Sequence, residues 1–245
     1  MTDKKYEFTG ETKEIDSHVL HRIRLLRDID RFKFGDVGGW IESERNLSHE
    51  GNCWVSGSAR VYGLARVYDS ALVSVSARVF GSAWVSGSAE ISGSAVVSGE
   101  ACVFEEACVF GSSRVFGSSR VFGGVRVFGT AQISESAEIS ESARVSGEAR
   151  ISESARVSGY AQVAGYAQVA GYAQVSGYAQ VSGYAQVSGE AQVSGYAHVL
   201  GEARVFGASL LSGGAMVSGG CGCVGGADVI GSDRCPRAEQ EEKND

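Results

Sequence analysis

The chain has 245 residues and a formal net charge of −7. Its repetitive part, residues 53–235, is nearly neutral, with eleven arginines, fourteen acidic residues and no lysine. It therefore lacks both the basic stripe of a nucleic-acid binder and the strongly acidic face of a DNA mimic, and we expect no nucleic-acid partner.

Membrane association is not expected either. No apolar run approaches the ~20 residues of a membrane span. The first residues, Met1 to Lys5, lack the apolar core of a signal peptide. We therefore expect a cytoplasmic protein, or one exported by a dedicated machine.

Residues 1–50 differ in kind from the rest of the chain. Residues 5–9 and 19–26 are predicted strands, and Val19, His21, Ile23 and Leu25 should share one face of the second. Residues 34–41 are predicted to turn into the repeat. Because the first coil of a solenoid exposes a strand edge and an open core, we interpret this segment as a small β cap.

A hexad repeat follows, and it is uninterrupted. From Val55 to Val229 an aliphatic residue stands at every sixth position, thirty positions in all, with Cys223 the one exception. Two residues earlier in each hexad stands a small residue. It is alanine in most hexads and is replaced by Cys53, Ser113, Ser119, Val125, Ser209 and Cys221 in the others. A repeat this strict predicts a solenoid.

The unit Ala179 to Tyr184 shows how the hexad should fold. Alternation along a strand sends its alanine and valine to one face and its glutamine and serine to the other. Its glycine and tyrosine then turn the corner, because glycine adopts backbone angles that other residues resist. The period alone does not set the number of sides in a coil.

The hexad resembles the hexapeptide-repeat superfamily, which pairs an aliphatic residue with a small residue four positions later, as Val181 and Ala185 do. Gly183 departs from that pattern, because the family often has its glycine one residue earlier. The resemblance covers the whole repeat, about three quarters of the chain. It implies an all-β, left-handed parallel β-helix, a triangular solenoid of about ten 18-residue coils with three hexads in each.

On this interpretation residues 51–235 form the solenoid, and residues 236–245 form a charged, disordered tail that begins where Pro236 stops strand pairing. The segment through Asn46 to Ser48 is similar to one that precedes hexads in a branch of bacterial and phage proteins, some of which carry a transferase label. The superfamily fold serves acyltransferases, a few other enzymes and inert spacers, so it leaves the activity open.

Two aromatic sets occupy outward positions. Residues 18 apart should stack, so the first set should ring all three sides; it consists of Phe104, Phe110, Phe116, Phe122 and Phe128. Tyr62, Tyr68 and Phe80 form a smaller group nearer the N-terminus. Exposed aromatic area of this size indicates association or a ligand surface. The alternative is repeated copying of one hexad in which phenylalanine is tolerated as a strand former.

The second set stands at the corner positions and consists of Tyr160, Tyr166, Tyr172, Tyr178, Tyr184 and Tyr196. One ladder should contain Tyr160, Tyr178 and Tyr196, and another Tyr166 and Tyr184. Stacked rings of this kind stabilise neighbouring coils by ~0.5–1.5 kcal/mol per pair. A carbohydrate-binding or protein-binding surface is the alternative role for the rings.

Catalytic residues are hard to find in this sequence. Acyl transfer needs a histidine near a subunit interface to deprotonate the acceptor. The candidates are His198, alone on the solenoid between stacked neighbours Gln180 and Met216, and His21 in the N-terminal segment. The repeat has no insertion that could form a loop around His198.

The cysteines are interpreted as structural. The positions predicted to be buried are Cys53, Cys221, Cys223 and Cys235, and those predicted to point outward on adjacent sides are Cys102 and Cys108. A Cys-x-Cys pair with one further cysteine and no histidine is weak zinc spacing. We therefore expect no metal and no cofactor.

These features predict a non-enzymatic structural or protein-interaction module. It would be a rigid solenoid that self-associates or binds a protein partner through its exposed aromatic faces. The alternative is a hexapeptide-repeat acyltransferase that uses acyl-CoA as a trimer.

Overall fold

The structure is a computed structural model that describes residues 4–224 and 228–231. Within these residues it is an all-β protein, a parallel β-solenoid of about ten coils whose strands recur on the same side at every third hexad. The described part contains no α-helix; its helical element is a 3₁₀ turn, Glu44–Asn46. No helix in it is long and apolar enough to cross a membrane. Cys235 and the predicted tail, residues 236–245, lie outside the described residues.

The hexad folds as its pattern predicts. Among the described residues, the alanine and valine positions of the coil are buried in every hexad except at Cys221, and Ala179 and Val181 are completely inaccessible to solvent. Gln180, Ser182 and Tyr184 donate their N–H groups to carbonyl groups seventeen residues further along the chain, at 2.8–2.9 Å. Each coil is therefore joined to the next by backbone hydrogen bonds on its flat sides and also at its corners.

Three sheets form the sides of the coil, and the described residues place thirteen strands in the first and ten in each of the others. The coil strands of the first sheet are Arg60–Val61, Arg78–Val79, Val96–Val97, Arg114–Val115, Gln132–Ile133, Arg150–Ile151, Gln168–Val169, Gln186–Val187, Arg204–Phe206 and Gly222–Val224. Those of the second sheet are Trp54–Val55, Leu72–Val73, Glu90–Ile91, Cys108–Val109, Arg126–Val127, Arg144–Val145, Gln162–Val163, Gln180–Val181, His198–Leu200 and Met216–Ser218.

The third sheet consists of Arg66–Val67, Trp84–Val85, Cys102–Val103, Arg120–Val121, Glu138–Ile139, Arg156–Val157, Gln174–Val175, Gln192–Val193, Leu210–Gly213 and Asp228–Gly231. In all three sheets each coil strand pairs in parallel with the strand three hexads away, as Arg120 and Glu138 do. Each outer face is consequently a grid in which residues 18 apart are direct neighbours.

The corners require a left-handed backbone conformation. Gly183 has φ +77°, and a Cβ added to it would lie 2.9 Å from the backbone of Gly201 in the next coil. Non-glycine residues adopt a positive φ at this corner position too, and they are Asp69, Val75, Glu105, Glu135, Glu141 and Glu153. Val75 is the costliest of them, because a β-branched residue is strained at its φ of +64°.

Serine replaces alanine inside the coil without leaving a hydroxyl unpaired. Ser113, Ser119 and Ser209 are fully buried. Each Oγ donates to the carbonyl group three residues earlier, at 2.8–2.9 Å. These three substitutions therefore avoid the penalty of an unsatisfied buried polar group.

The N-terminal segment begins with an antiparallel hairpin of strands β1 (Tyr6–Ile15) and β2 (His18–Leu25). Strand β3 (Val37–Ile41) pairs with β2 and then in parallel with Arg60–Val61, so the hairpin extends the first sheet. The predicted strands are confirmed, although β1 is longer than expected.

The residues predicted to share one face of the second strand are not equally covered. Ile23 and Leu25 are buried, but Val19 is 49% exposed, and Leu20, which alternation places on the other face, is buried. The pairing of β2 with β3 shifts register between Arg22 and Arg24. The extra residue of this shift lies in β3, because Ile23 of β2 faces both Gly38 and Gly39.

The segment covers the carbonyl edge of the first coil. Trp40 donates its N–H to the carbonyl group of Ala59 at 2.9 Å, and Ser48 does so to Val67 at 2.9 Å. The buried side-chain amide of Asn46 reaches two more carbonyl groups of this coil, at 2.9–3.0 Å. Edge groups that would otherwise lack partners are thereby hydrogen-bonded.

The segment also covers part of the outer surface of the coil. Trp54 holds an outward strand position, yet it is only 1% exposed. The rings of Phe32 and Tyr6 pack beside it, with centroids 6.2 and 6.3 Å away. The segment therefore wraps the second sheet near its start as well as lying across the end of the coil.

Candidate functional site

The third sheet carries a cluster of arginines and aromatic rings near its N-terminal end. We call it the aromatic–arginine surface and define it as Arg45, Arg66, Tyr68, Trp84, Phe104, Arg120 and Phe122. The repeat places these residues together because Arg66, Trp84 and Arg120 take outward strand positions of the same sheet, one above another. Arg45 reaches the same area from the 3₁₀ turn of the N-terminal segment.

The exposed ring at the centre of this surface is Trp84, which is 46% exposed. The Tyr68 ring meets it edge-on at a centroid distance of 6.0 Å. The Arg66 guanidinium lies 5.8 Å from the Trp84 ring centre. Cation–π contacts of this kind contribute ~0.5–1 kcal/mol at exposed sites. The ring is thus held in place while much of its area stays open to solvent.

A stacked pair of phenylalanines continues the surface along the rod. Phe104 and Phe122 stack with ring centres 4.9 Å apart. The Arg120 guanidinium lies over both rings, 5.8 and 5.5 Å from their centres. It also forms an exposed salt bridge with Glu138 at 3.6 Å. The surface is therefore both apolar and positively charged.

Two shallow hollows on this surface have volumes of about 520 and 260 Å³. They share Tyr68 and Trp84, so they form one continuous depression. Arg45 and Arg66 border one hollow and Arg120 the other. An apolar depression with arginines around it can receive an apolar side chain that is flanked by carboxylates.

The first and second sheets differ from the third at this level of the rod. On the first sheet Tyr62 is only 3% exposed, stacked on Phe80 and packed against His18 of the N-terminal segment. On the second sheet the segment buries Trp54. The large aromatic side chain that the segment leaves open is Trp84, on the third sheet.

The five phenylalanines do ring all three sides, as predicted, but they are not equivalent. Phe104 and Phe122 stack on the third sheet, and Phe110 and Phe128 stack on the second at 5.3 Å. Both members of each pair are half-buried, while Phe116 of the first sheet is 36% exposed. Stacking thus removes part of the exposed aromatic area that the sequence led us to expect.

The predicted stacking of the tyrosines into two ladders is confirmed. Tyr160, Tyr178 and Tyr196 stack at 5.0 and 5.1 Å, and Tyr166 and Tyr184 stack at 4.9 Å. Tyr172 has Ser154 and Glu190 above and below it in its column and is 69% exposed. Inside a ladder the ring faces are taken up by neighbouring rings, so a sugar could stack only on the end faces.

A groove of about 510 Å³ runs along the longer ladder. The rings of Tyr160, Tyr178 and Tyr196 form one wall. Its floor is the outer row of the second sheet, which carries Arg126, Arg144, Gln162, Gln180 and His198 in consecutive coils. All of these floor side chains can donate hydrogen bonds, and none is acidic.

The histidine candidates lie far apart in the fold. His198 stacks between Gln180 and Met216, as predicted, at one end of the groove. His21 lies in β2 against the ring of Phe8, with centroids 4.7 Å apart. No hydrogen bond from either side chain to a carboxylate is present among the described residues. No group of three or more His, Cys, Asp or Glu side chains in the described part is placed to hold a metal.

The described cysteines follow the predicted pattern in most respects. Cys53 and Cys223 are buried, whereas Cys221, predicted to be buried, is only partly so. Cys102 and Cys108 lie on the third and second sheets and are free thiols. Partial burial raises the pKa of both Cys102 and Cys108, which keeps these thiols protonated and weakly nucleophilic.

The predicted site residues include neither the tryptophan nor the arginines of the aromatic–arginine surface, which are Trp84, Arg45, Arg66 and Arg120. Trp84 could have been found by the 18-residue rule, since it is stacked between Arg66 and Cys102. Arg45 could not, because it lies outside the repeat and its position depends on how the N-terminal segment packs.

Comparison with known proteins leaves the family open. No family model matches the chain, and a search of curated proteins found no match.

Proposed function

We propose that this protein is a rigid, non-enzymatic interaction module that self-associates through its aromatic–arginine surface. The observation that carries the proposal is Trp84, 46% exposed in a depression bordered by arginines on an otherwise regular β face. Large exposed aromatic residues together with arginines are enriched at the centres of protein interfaces.

A second copy of the chain is the partner that best matches the charge of this surface. The chain carries a net charge of −7, whereas the surface presents Arg45, Arg66 and Arg120. Glutamates such as Glu105 and Glu141 stand exposed at corners of the coil. The acidic corners of one rod could thus face the arginines of another, which favours encounter and fixes orientation.

The relationship to other solenoids is part of the same proposal. The three sheets and the 18-residue coil support descent from the hexapeptide-repeat superfamily, and membership of that superfamily would imply a left-handed coil. The hydrogen bonds from Trp40 and Ser48 to the first coil support a capping role for residues 1–50. The free thiols of Cys53, Cys102 and Cys108 support a reducing compartment, the cytoplasm.

The test is the mass of the particle in solution. Light scattering over a range of protein concentrations should show an oligomer for the natural chain. The double variant Trp84→Ser, Phe104→Ser should be a monomer or at least tenfold weaker in association, because it removes the apolar centre of the surface. Circular dichroism should show an unchanged solenoid, since both side chains lie outside the core.

The matched control lies on the second sheet. Phe110→Ser, Phe128→Ser removes a stacked pair like that of the third sheet, at 5.3 Å, but away from Trp84. This control should associate as the natural chain does. Equal loss in both double variants would contradict the choice of the third sheet. A natural chain that is monomeric at its highest soluble concentration would contradict self-association and leave a heterologous partner.

The acyltransferase alternative has one supporting observation, because His198 lines a groove of about 510 Å³. A thermal-shift screen with acyl-CoAs tests it. Stabilisation by an acyl-CoA that disappears in His198→Ala, or in His21→Ala, would favour the enzyme over the interaction module.

A further inference from the structure

One end of the groove on the second sheet concentrates positive charge. Arg126 and Arg144 occupy the same outward position in adjacent coils, side by side in register, and both are exposed. Neither forms a salt bridge with any described residue. Like charges directly opposite each other on neighbouring strands are destabilising. An anion placed between the two guanidinium groups would relieve that repulsion.

The tyrosine ladder has an open ring face at the same end. Tyr160 stacks on Tyr178 at 5.0 Å, and its opposite face points along the column occupied by Ser142 and then Gly124. These two residues are small, and no described aromatic ring meets Tyr160 on that side. A flat ring could therefore take the place that a further tyrosine would hold in the ladder.

We propose that this end of the groove binds a small planar aromatic ligand that carries a phosphate group. The ring stacks on the open face of Tyr160 and extends the ladder by one step. The phosphate lies over the floor of the groove, where Arg144 and Arg126 donate charge-assisted hydrogen bonds to it. The binding surface thus consists of one ring face and two guanidinium groups from adjacent coils.

The shorter ladder provides an internal comparison. Tyr166 and Tyr184 stack as closely, at 4.9 Å, and Arg150 lies on the adjacent floor. There the position next to Tyr166 is Glu148, and a hydrogen bond to that carboxylate, together with its charge, raises the pKa of Tyr166. The carboxylate of Glu148 would repel a phosphate at this position, so the shorter ladder should not bind the ligand.

Calorimetric titration of the full chain with phenyl phosphate tests the proposal. We expect saturable binding at one site, at least tenfold weaker for inorganic phosphate or phenol alone. Arg126→Gln and Arg144→Gln should each weaken binding about tenfold, and glutamine is the residue that the next coil, at Gln162, carries at this position. Tyr160→Ser should weaken binding too, whereas the control Arg150→Gln should leave it unchanged.

Two natural ligands that carry an aromatic ring and a phosphate group can be compared in the same assay. They are a nucleoside monophosphate and a phosphotyrosine side chain. Binding of either with the same dependence on Arg144 supports the proposal and identifies the source. Binding that is unchanged in Arg126→Gln, Arg144→Gln and the double variant would overturn it, as would the absence of saturable binding by phenyl phosphate. Inorganic phosphate binding as tightly as phenyl phosphate would overturn the role of the Tyr160 ring.

Discussion

The coil and the N-terminal segment are held together in different ways. In the coil every side repeats the same two buried side chains and the same hydrogen bonds to the next coil, as in Gln180 to Ala197 at 2.9 Å. In the segment single contacts that occur once carry the fold, such as the buried amide of Asn46 and the buried ring of Trp54. In the coil many equivalent contacts share the stabilisation of the fold, whereas in the N-terminal segment a few individual contacts supply it.

Buried polar groups show the same difference. Among the described residues, the polar residues that are wholly buried in the coil are serines whose hydroxyls reach a local carbonyl group, whereas the segment buries the whole side chain of Lys5. Its amino group donates to the carbonyl group of Cys53 at 2.8 Å and to that of Glu50 at 3.3 Å, and lies 3.1 Å from the Cys53 sulfur. Burial lowers the pKa of Lys5 and raises that of Cys53. The stability of the N-terminal segment therefore depends strongly on single residues such as Lys5.

The largest expected difference in the free energy of unfolding is between tryptophan substitutions at the N-terminal segment and on the coil surface. Trp54→Ala empties a space between the coil and the segment, and should lower the free energy of unfolding by about 3–5 kcal/mol. Trp84→Ala removes a side chain of the same size from the surface of the coil and should cost less than about 1 kcal/mol. Urea denaturation of both variants measures the difference. Equal losses would show that Trp54 does not join the two regions.

The next largest expected difference in stability is between alanine substitutions at two glycines with positive φ, one in the coil and one in the N-terminal hairpin. Gly183→Ala should cost about 2 kcal/mol or more, because a methyl group there is strained in φ and lies 2.9 Å from the next coil. Gly10→Ala in the hairpin has φ +92° but no heavy atom within 4 Å, and it should cost only about 1 kcal/mol. Thermal unfolding of the pair separates backbone strain from crowding between coils. A larger loss at Gly10 would contradict the close approach of the corners.

These differences explain which parts could be predicted from the sequence. The inward positions, the 18-residue stacking and the ladder of Tyr160 and Tyr178 follow from the repeat alone, because every coil gives its neighbours the same environment. The burial of Trp54 does not, since alternation places it outside and only the position of the segment covers it. The exposure of Val19 was not predictable either, because alternation groups it with Ile23 and Leu25, which are buried.

The candidate surfaces also combine features that the repeat predicts with features that only the structure shows. That phenylalanines ring the rod was predictable, but which stacked pair lies beside an exposed tryptophan was not, because that depends on where the N-terminal segment leaves the rod uncovered. The groove beside Tyr160 needed the structure too. Its arginines and its open ring face belong to different columns, which the coil brings side by side.

A smaller effect of opposite sign is expected at Val75. Val75→Gly should raise the free energy of unfolding by about 0.5–1 kcal/mol, because relief of the strain at φ +64° exceeds the extra flexibility of the unfolded chain. The control is Leu64→Gly, an exposed corner residue without a positive φ, which should instead lose about 0.5–1 kcal/mol. Denaturant midpoints of both variants give the two signs. Destabilisation by Val75→Gly would contradict strain at that corner.

The smallest effect is a pH dependence that belongs to the N-terminal segment. Burial lowers the pKa of His49 below 6.5, more than the nearby Glu44 raises it, and its ring stacks on Tyr6 at 4.3 Å. Between the lowered pKa and 6.5 the unfolded chain binds a proton at this site that the folded chain does not, so stability falls as the pH falls through that window. The Tm of the natural chain should therefore drop more steeply than that of His49→Asn as the pH is lowered from 7 towards 5. Parallel curves would mean that the histidine takes up its proton equally in both states.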